Sequence, residues 1–122
     1  MYLISVEQNF SAAHYLRNYG GKCESLHGHT FKVVVTIKAT ALNKIGLGYD
    51  FTILKSQLDK ILSVFDHTSL NEISPFTEMN PSSENIAMFI YGEMKSKITG
   101  NQVTLESVEV WESPTSHVTY SL

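Results

Sequence analysis

Two runs of strict alternation near the start of the chain set the terms for any fold it adopts. From Tyr2, the residues Tyr2, Ile4, Val6, Phe10 and Ala12 share one parity while Ser5, Glu7 and Asn9 share the other, the pattern of a half-buried strand. After the glycine-bearing, turn-like "RNYGGKCES", the run "HTFKVVVTIKA" alternates again, with Phe31, Val33, Val35 and Ile37 against Lys32, Thr36 and Lys38. Each strand therefore has one apolar face to cover. His14 continues the apolar parity of the first run, and His27 and His29 that of the second.

The cover comes from two amphipathic segments. Asp50 precedes "FTILKSQLDKILSVF", where Leu54, Leu58, Ile61, Leu62 and Phe65 recur at helical spacing behind a good N-cap. Asp66 and His67 lie just past its end. "ISPFTEMNPSS" holds two prolines and polar turn formers, and leads into "ENIAMFIYGEMKSKI", a second helix capped by Ser82 or Ser83 with Glu84 set against its dipole. "TLESVEVWES" and "SHVTYSL", separated by Pro114, read as a closing hairpin. The order strand-strand-helix-helix-strand-strand predicts an α+β fold, a four-stranded antiparallel sheet with both helices on one face. The other face, with Ser5, Glu7, Lys32, Thr36 and Lys38, is left to water or to another chain.

At 122 residues the chain makes one domain, 1–122, around one core. A net charge of -3 with scattered Lys and Arg carries no phosphate-backbone footprint, so no nucleic acid is expected as a ligand. No stretch is long enough to span a bilayer and "MYLISVEQNF" has no basic leader, so no membrane is expected either. A single cysteine cannot close an internal disulfide, and a reducing, cytoplasmic compartment fits.

Residues two apart on a strand point the same way, so His27 and His29 can aim two imidazoles at one point, and His14 on the neighbouring strand can supply a third. Three neutral imidazoles leave the fourth tetrahedral position of Zn²⁺ open, the arrangement of a catalytic site. Each histidine alone is more often a satisfied core residue, but the combination with Cys23 and with Asp66-His67 favours the metal. Cys23 stays open between a fourth zinc ligand, an inert thiol and a thiolate activated by Lys22, His67 or the metal. Asp66-His67 is either an oriented acid-base pair or a helix C-terminal cap. Glu112 shares the parity of Val108 and Val110 and so turns inward, where a carboxylate needs donors, unless it is a solvated strand-end acid.

"FSAAH", "KCESLHGHTF", "FDHTSLNE", "NPSSENIA" and "WESPTS" resemble, in this order and over nearly the whole chain, the 6-pyruvoyl-tetrahydropterin synthase family. The Cys-x-x-x-His-Gly-His spacing looks like its bacterial 6-carboxy-5,6,7,8-tetrahydropterin synthase branch. The resemblance implies a tunnelling fold whose sheets join into a barrel in a trimer, two trimers stacking as a homohexamer. It implies zinc on His14, His27 and His29, proton transfer by Cys23, Asp66 and His67, and recognition of the pterin ring by Glu112, with Ser82 and Ser83 approaching from a neighbouring subunit. The implied activity is that of a zinc-dependent lyase converting 7,8-dihydroneopterin triphosphate to 6-carboxy-5,6,7,8-tetrahydropterin, acetaldehyde and triphosphate, on the way to 7-deazaguanine bases such as queuosine.

Tyr15 departs from the pattern, because many relatives carry a basic residue directly after the first histidine. Arg17, Lys22 and Lys32 remain unranked candidates for the triphosphate. Within the family the alternative product keeps the three-carbon side chain, as in pyruvoyl synthases. Outside it stand a Cys23-His67-Asp66 thiol hydrolase, which leaves three histidines unexplained, and a zinc-stabilised binding module without catalysis, which leaves Cys23 and Asp66-His67 idle.

Overall fold

The computed structural model describes residues 1–122. The first two strands, β1 (Tyr2–His14) and β2 (His27–Ala39), pair antiparallel over their whole length, from Tyr2 opposite Ala39 to His14 opposite His27. Their alternation does what it predicts. Phe31, Val33, Val35 and Ile37 are fully buried on one face, beside Val6 and Phe10, and the Phe10 and Phe31 rings stack at 4.8 Å. Full burial of such a side chain contributes about 1.5–3 kcal/mol.

Helix α1 (Phe51–Leu62) begins where Asp50 accepts the Thr52 N–H at 2.8 Å. It stops at Leu62 rather than running on to Phe65, yet Phe65 is buried all the same, its ring 5.9 Å from that of Phe10. Helix α2, which covers Ser83–Lys95, is capped by Ser82, whose Oγ accepts the Asn85 N–H at 3.1 Å. Both helices pack on the apolar face, α1 along β1 and α2 across the last two strands.

The sheet corrects one expectation: it has five strands and is mixed, not four and antiparallel. A two-residue strand, β3 (Thr68–Ser69), lies parallel to β1 through Ala12 and Ala13, giving the order β3-β1-β2-β4-β5 with β4 (Val103–Ser113) and β5 (Ser116–Tyr120). The backbone of β1 needs partners along its free edge, and the chain leaving α1 provides them. Two residues are too few to show an alternation, so the sequence pattern is silent there.

β4 holds two irregularities that parity counting misses. Thr36 pairs with Ser107 but Ile37 with Leu105, so Glu106 is an extra residue, and both Leu105 and Val108 face the core. Farther on, Trp111 pairs with His117 and Ser113 with Ser116, which leaves Glu112 as a second extra residue. The opposite sheet face is polar, with the Ser5 and Thr36 hydroxyls 2.8 Å apart and the Lys32 ammonium 4.3 Å above the Trp111 ring.

Candidate metal centre and acid-base groups

The three histidines meet at one end of the β1–β2 pair because strand register puts them there. His14 is the last residue of β1 and lies opposite His27, while His29 lies opposite Ala12 on the same face. Their ring centroids are 4.6 Å (His14–His27), 4.9 Å (His27–His29) and 5.3 Å (His14–His29) apart. Phe31 closes the cluster from below, edge-on to His14 at 5.3 Å.

Backbone carbonyls orient two of the rings. His14 Nδ1 donates to the Pro81 carbonyl at 2.8 Å and His27 Nδ1 to that of Ser25 at 2.7 Å, so each ring keeps its Nε2 lone pair free. Burial is the main force on His14 and pushes its pKa below the ordinary 6.5, against the opposing pull of the Pro81 carbonyl and Glu112. A neutral imidazole is what a metal requires.

Glu112 completes the cluster, its Oε1 2.8 Å from His29 Nε2 and 3.8 Å from His14 Nε2. The shorter approach has the distance of a hydrogen bond but not its alignment, so the buried Nε2 atoms of His14 and His29 both lack a hydrogen-bond partner. A buried polar nitrogen without a partner is a standing cost. The ligand atoms of His14, His27, His29 and Glu112 all lie within 4.8 Å of one another. This set fits a divalent cation that favours imidazole and carboxylate, zinc foremost.

Behind His14 stands a scaffold absent from the sequence reading. The Asn71 side chain accepts the Tyr15 N–H at 3.0 Å and donates to the Tyr15 carbonyl at 3.1 Å. Asn80 does the same for Arg17, at 2.9 and 3.0 Å. The two amides extend the edge of β1 as a partner strand would, and so seat Pro81 against His14. The Arg17 guanidinium donates to the carbonyls of Phe76, Met79 and Asn71 at 2.9, 3.3 and 3.5 Å. Arg17 thus serves the scaffold, and Lys32 is stacked on Trp111 across the sheet.

Cys23 sits half-buried in a single 3₁₀ turn, Lys22–Glu24, tied back where its carbonyl accepts the Leu16 N–H at 2.7 Å. Its sulfur is outside the group of converging ligand atoms. Asp66 and His67 lie beyond the other edge of β1. Asp66 accepts the Ser11 N–H at 2.9 Å and stands 3.0 Å from His67 Nδ1, and the Ser11 contact above all holds its carboxyl below the usual carboxylate range. His67 adopts φ 60, a left-handed conformation a non-glycine residue keeps only when held, and its own N–H is bound by the Ser11 carbonyl. The imidazole is 83% exposed and has Asp66 as its ion-pair partner. Ser83 Oγ donates to Glu112 Oε2 at 3.2 Å within the same chain, and the Ser82 oxygen is taken up by the α2 cap.

The model of the 6-pyruvoyl tetrahydropterin synthase family matches residues 3–122. The chain belongs to this family. The resemblance read from the five sequence blocks is thereby borne out. A 6-carboxy-5,6,7,8-tetrahydropterin synthase of Synechocystis sp. is 36% identical, over 98% of this chain and 93% of that protein. One of Haemophilus influenzae is 31% identical, over 98% and 99%. A dihydroneopterin monophosphate aldolase of Pyrococcus furiosus is 35% identical, over 85% and 83%. The fold matches that of the 6-pyruvoyl tetrahydropterin synthase of Caenorhabditis elegans with a TM-score of 0.83 at 27% identity, over 100% of this chain and 97% of that one. Membership places the chain among tetrahydropterin synthases, enzymes of the lyase kind. No helix is long and apolar enough to cross a membrane.

Proposed function

We propose that the protein is a zinc-dependent lyase that converts 7,8-dihydroneopterin triphosphate and water to 6-carboxy-5,6,7,8-tetrahydropterin, acetaldehyde and triphosphate, in 7-deazaguanine and queuosine biosynthesis. The observation that carries the reading is the convergence of His14, His27 and His29 with two buried, unpartnered Nε2 atoms, on a chain whose relatives include 6-carboxytetrahydropterin synthases.

His14, His27 and His29 would hold the zinc. Zinc supplies Lewis-acid stabilisation of negative charge developing on the substrate's side-chain oxygens, which acidifies the adjacent C–H bonds. The protein's own groups move the protons. Cys23, as thiolate, takes a proton from a side-chain carbon, and His67, oriented by Asp66, returns protons to the ring. These shifts reduce the ring at the expense of the side chain, so the conversion needs no external reductant. Triphosphate departs by elimination, and cleavage of the remaining side chain releases acetaldehyde. Glu112, with Ser83 on its second oxygen, accepts N–H donors of the pterin ring, and Ser82 keeps the start of α2 in place for that contact.

The His67 side chain is 83% exposed, and no hydrogen bond joins Cys23 to Asp66 or His67. The proposal therefore extends to an acid-base group completed between copies of the chain in a homohexamer, a dimer of trimers, for which the polar sheet face provides surface.

The Pyrococcus relative motivates a second reading, carbon-carbon cleavage by an aldolase. Product analysis with 7,8-dihydroneopterin triphosphate separates the cases. The proposal expects free triphosphate, acetaldehyde and the carboxypterin together. Triphosphate with a retained three-carbon side chain identifies a pyruvoyl synthase, and a shortened pterin with phosphate still on the departing fragment identifies an aldolase. Either result overturns the proposed product.

A further inference from the structure

His14 and His27 are oriented in different ways. His27 Nδ1 donates to the carbonyl of Ser25, two residues back along the chain. His14 Nδ1 donates to the carbonyl of Pro81, 67 residues away in sequence. A carbonyl oxygen can only accept, so this contact puts a proton on Nδ1 and leaves Nε2 of the neutral His14 ring as the ligand atom. Strand register carries His14 to the cluster, but its ring is aimed by a segment that belongs to neither β1 nor β2.

Asn80 joins that segment to the chain just past His14. Its side-chain oxygen accepts the Arg17 N–H at 2.9 Å, and its side-chain nitrogen donates to the Arg17 carbonyl at 3.0 Å. Its own carbonyl accepts the side-chain amide of Asn85, in the first turn of α2, at 2.9 Å. Pro81 follows directly; it is buried, and it restricts Asn80 to extended backbone, so the carbonyl that meets His14 has little freedom once the Asn80 amide has docked. An asparagine that only makes a turn bonds nearby backbone, as Asn43 does where its side chain accepts the Ile45 and Leu47 N–H groups, both at 3.0 Å. Asn80 instead directs both of its side-chain polar groups to a residue 63 positions away.

We propose that Asn80 is a positioning residue of the metal centre: by docking on Arg17 it holds the Pro81 carbonyl against His14 Nδ1, and so couples metal binding to the docking of residues 71–82. The coupling is reciprocal, because a ligand that favours the docked form also stabilises it, so zinc holds this segment in place. The inference rests on the three-histidine metal site proposed above.

The test uses zinc and cobalt(II) alone, without turnover. Zinc affinity is measured by competition with a chromophoric chelator for the unmodified protein, Asn80→Ala, Asn43→Ala and His29→Ala, and thermal unfolding without metal compares their stabilities. Asn80→Ala should bind zinc about 10–100-fold more weakly and shift the visible bands of bound cobalt. Asn43 caps a loop beyond the far end of the β1–β2 pair, so Asn43→Ala should bind zinc as the unmodified protein does. An affinity or a cobalt spectrum in Asn80→Ala equal to that of the unmodified protein, or a loss shared equally by Asn43→Ala, overturns the inference and leaves the metal site standing. Hydrogen exchange of the unmodified protein, read by mass spectrometry, should be slowed by zinc across residues 71–82, and this measurement decides the case if Asn80→Ala does not fold. Exchange there that zinc leaves unchanged overturns the coupling. Full zinc affinity in His29→Ala removes the three-histidine site and this inference with it.

Discussion

Changing His29 to alanine is expected to remove zinc and turnover together while leaving the fold in place. His29 lies at the end of β2 with 27% of its side chain exposed, so the packing lost is small. By contrast His14 is 2% exposed, so its loss would confound metal loss with damage to the core. Two imidazoles and a carboxylate remain, and the loss of a neutral nitrogen donor leaves a weaker set. Because Lewis-acid stabilisation supplies several kcal/mol of the barrier reduction, turnover should fall by at least about a thousandfold. Metal content, turnover and circular dichroism of one preparation check the result. Full zinc occupancy with full activity would remove His29 from the site.

The second large effect is expected at Cys23. Cys23→Ala should keep zinc and the fold, because the sulfur is outside the converging ligand atoms and its 3₁₀ turn is held by backbone hydrogen bonds. Turnover should fall about 10²–10⁴-fold, the range for a positioned proton-transfer group. Zinc and turnover must again be measured on one preparation. Lost zinc would put Cys23 in the coordination sphere. Retained zinc with full turnover would make it a bystander and pass its role to another base, first His67.

The histidine cluster was legible in the sequence because strand alternation is a local rule: once β1 and β2 are assigned, parity alone puts His14, His27 and His29 on one face. The same rule turned Glu112 inward but could not say what it meets. That depends on a bulge, a property of the pairing between strands rather than of either strand's pattern. β3 escaped because two residues carry no period, and α1 ended early because Phe65 is buried from a turn as readily as from a helix. Asn71, Asn80 and Pro81 escaped for another reason. Asparagine and proline in a polar stretch signal a turn, and only the folded chain shows the two amides pairing with the backbone of Tyr15 and Arg17 to seat the Pro81 carbonyl against His14. Asp66-His67 was legible as a pair, while the absence of a hydrogen bond from either residue to Cys23 within one chain was not.

The central claim is that the three histidines hold a metal on which turnover depends. The direct test removes metal stepwise with a chelator, measures zinc per chain and conversion of 7,8-dihydroneopterin triphosphate in each sample, and then adds zinc back. The account predicts about one zinc per chain at full activity, turnover that falls in proportion to zinc, and recovery when zinc returns. Metal-free protein that converts the substrate at an unimpaired rate would contradict it.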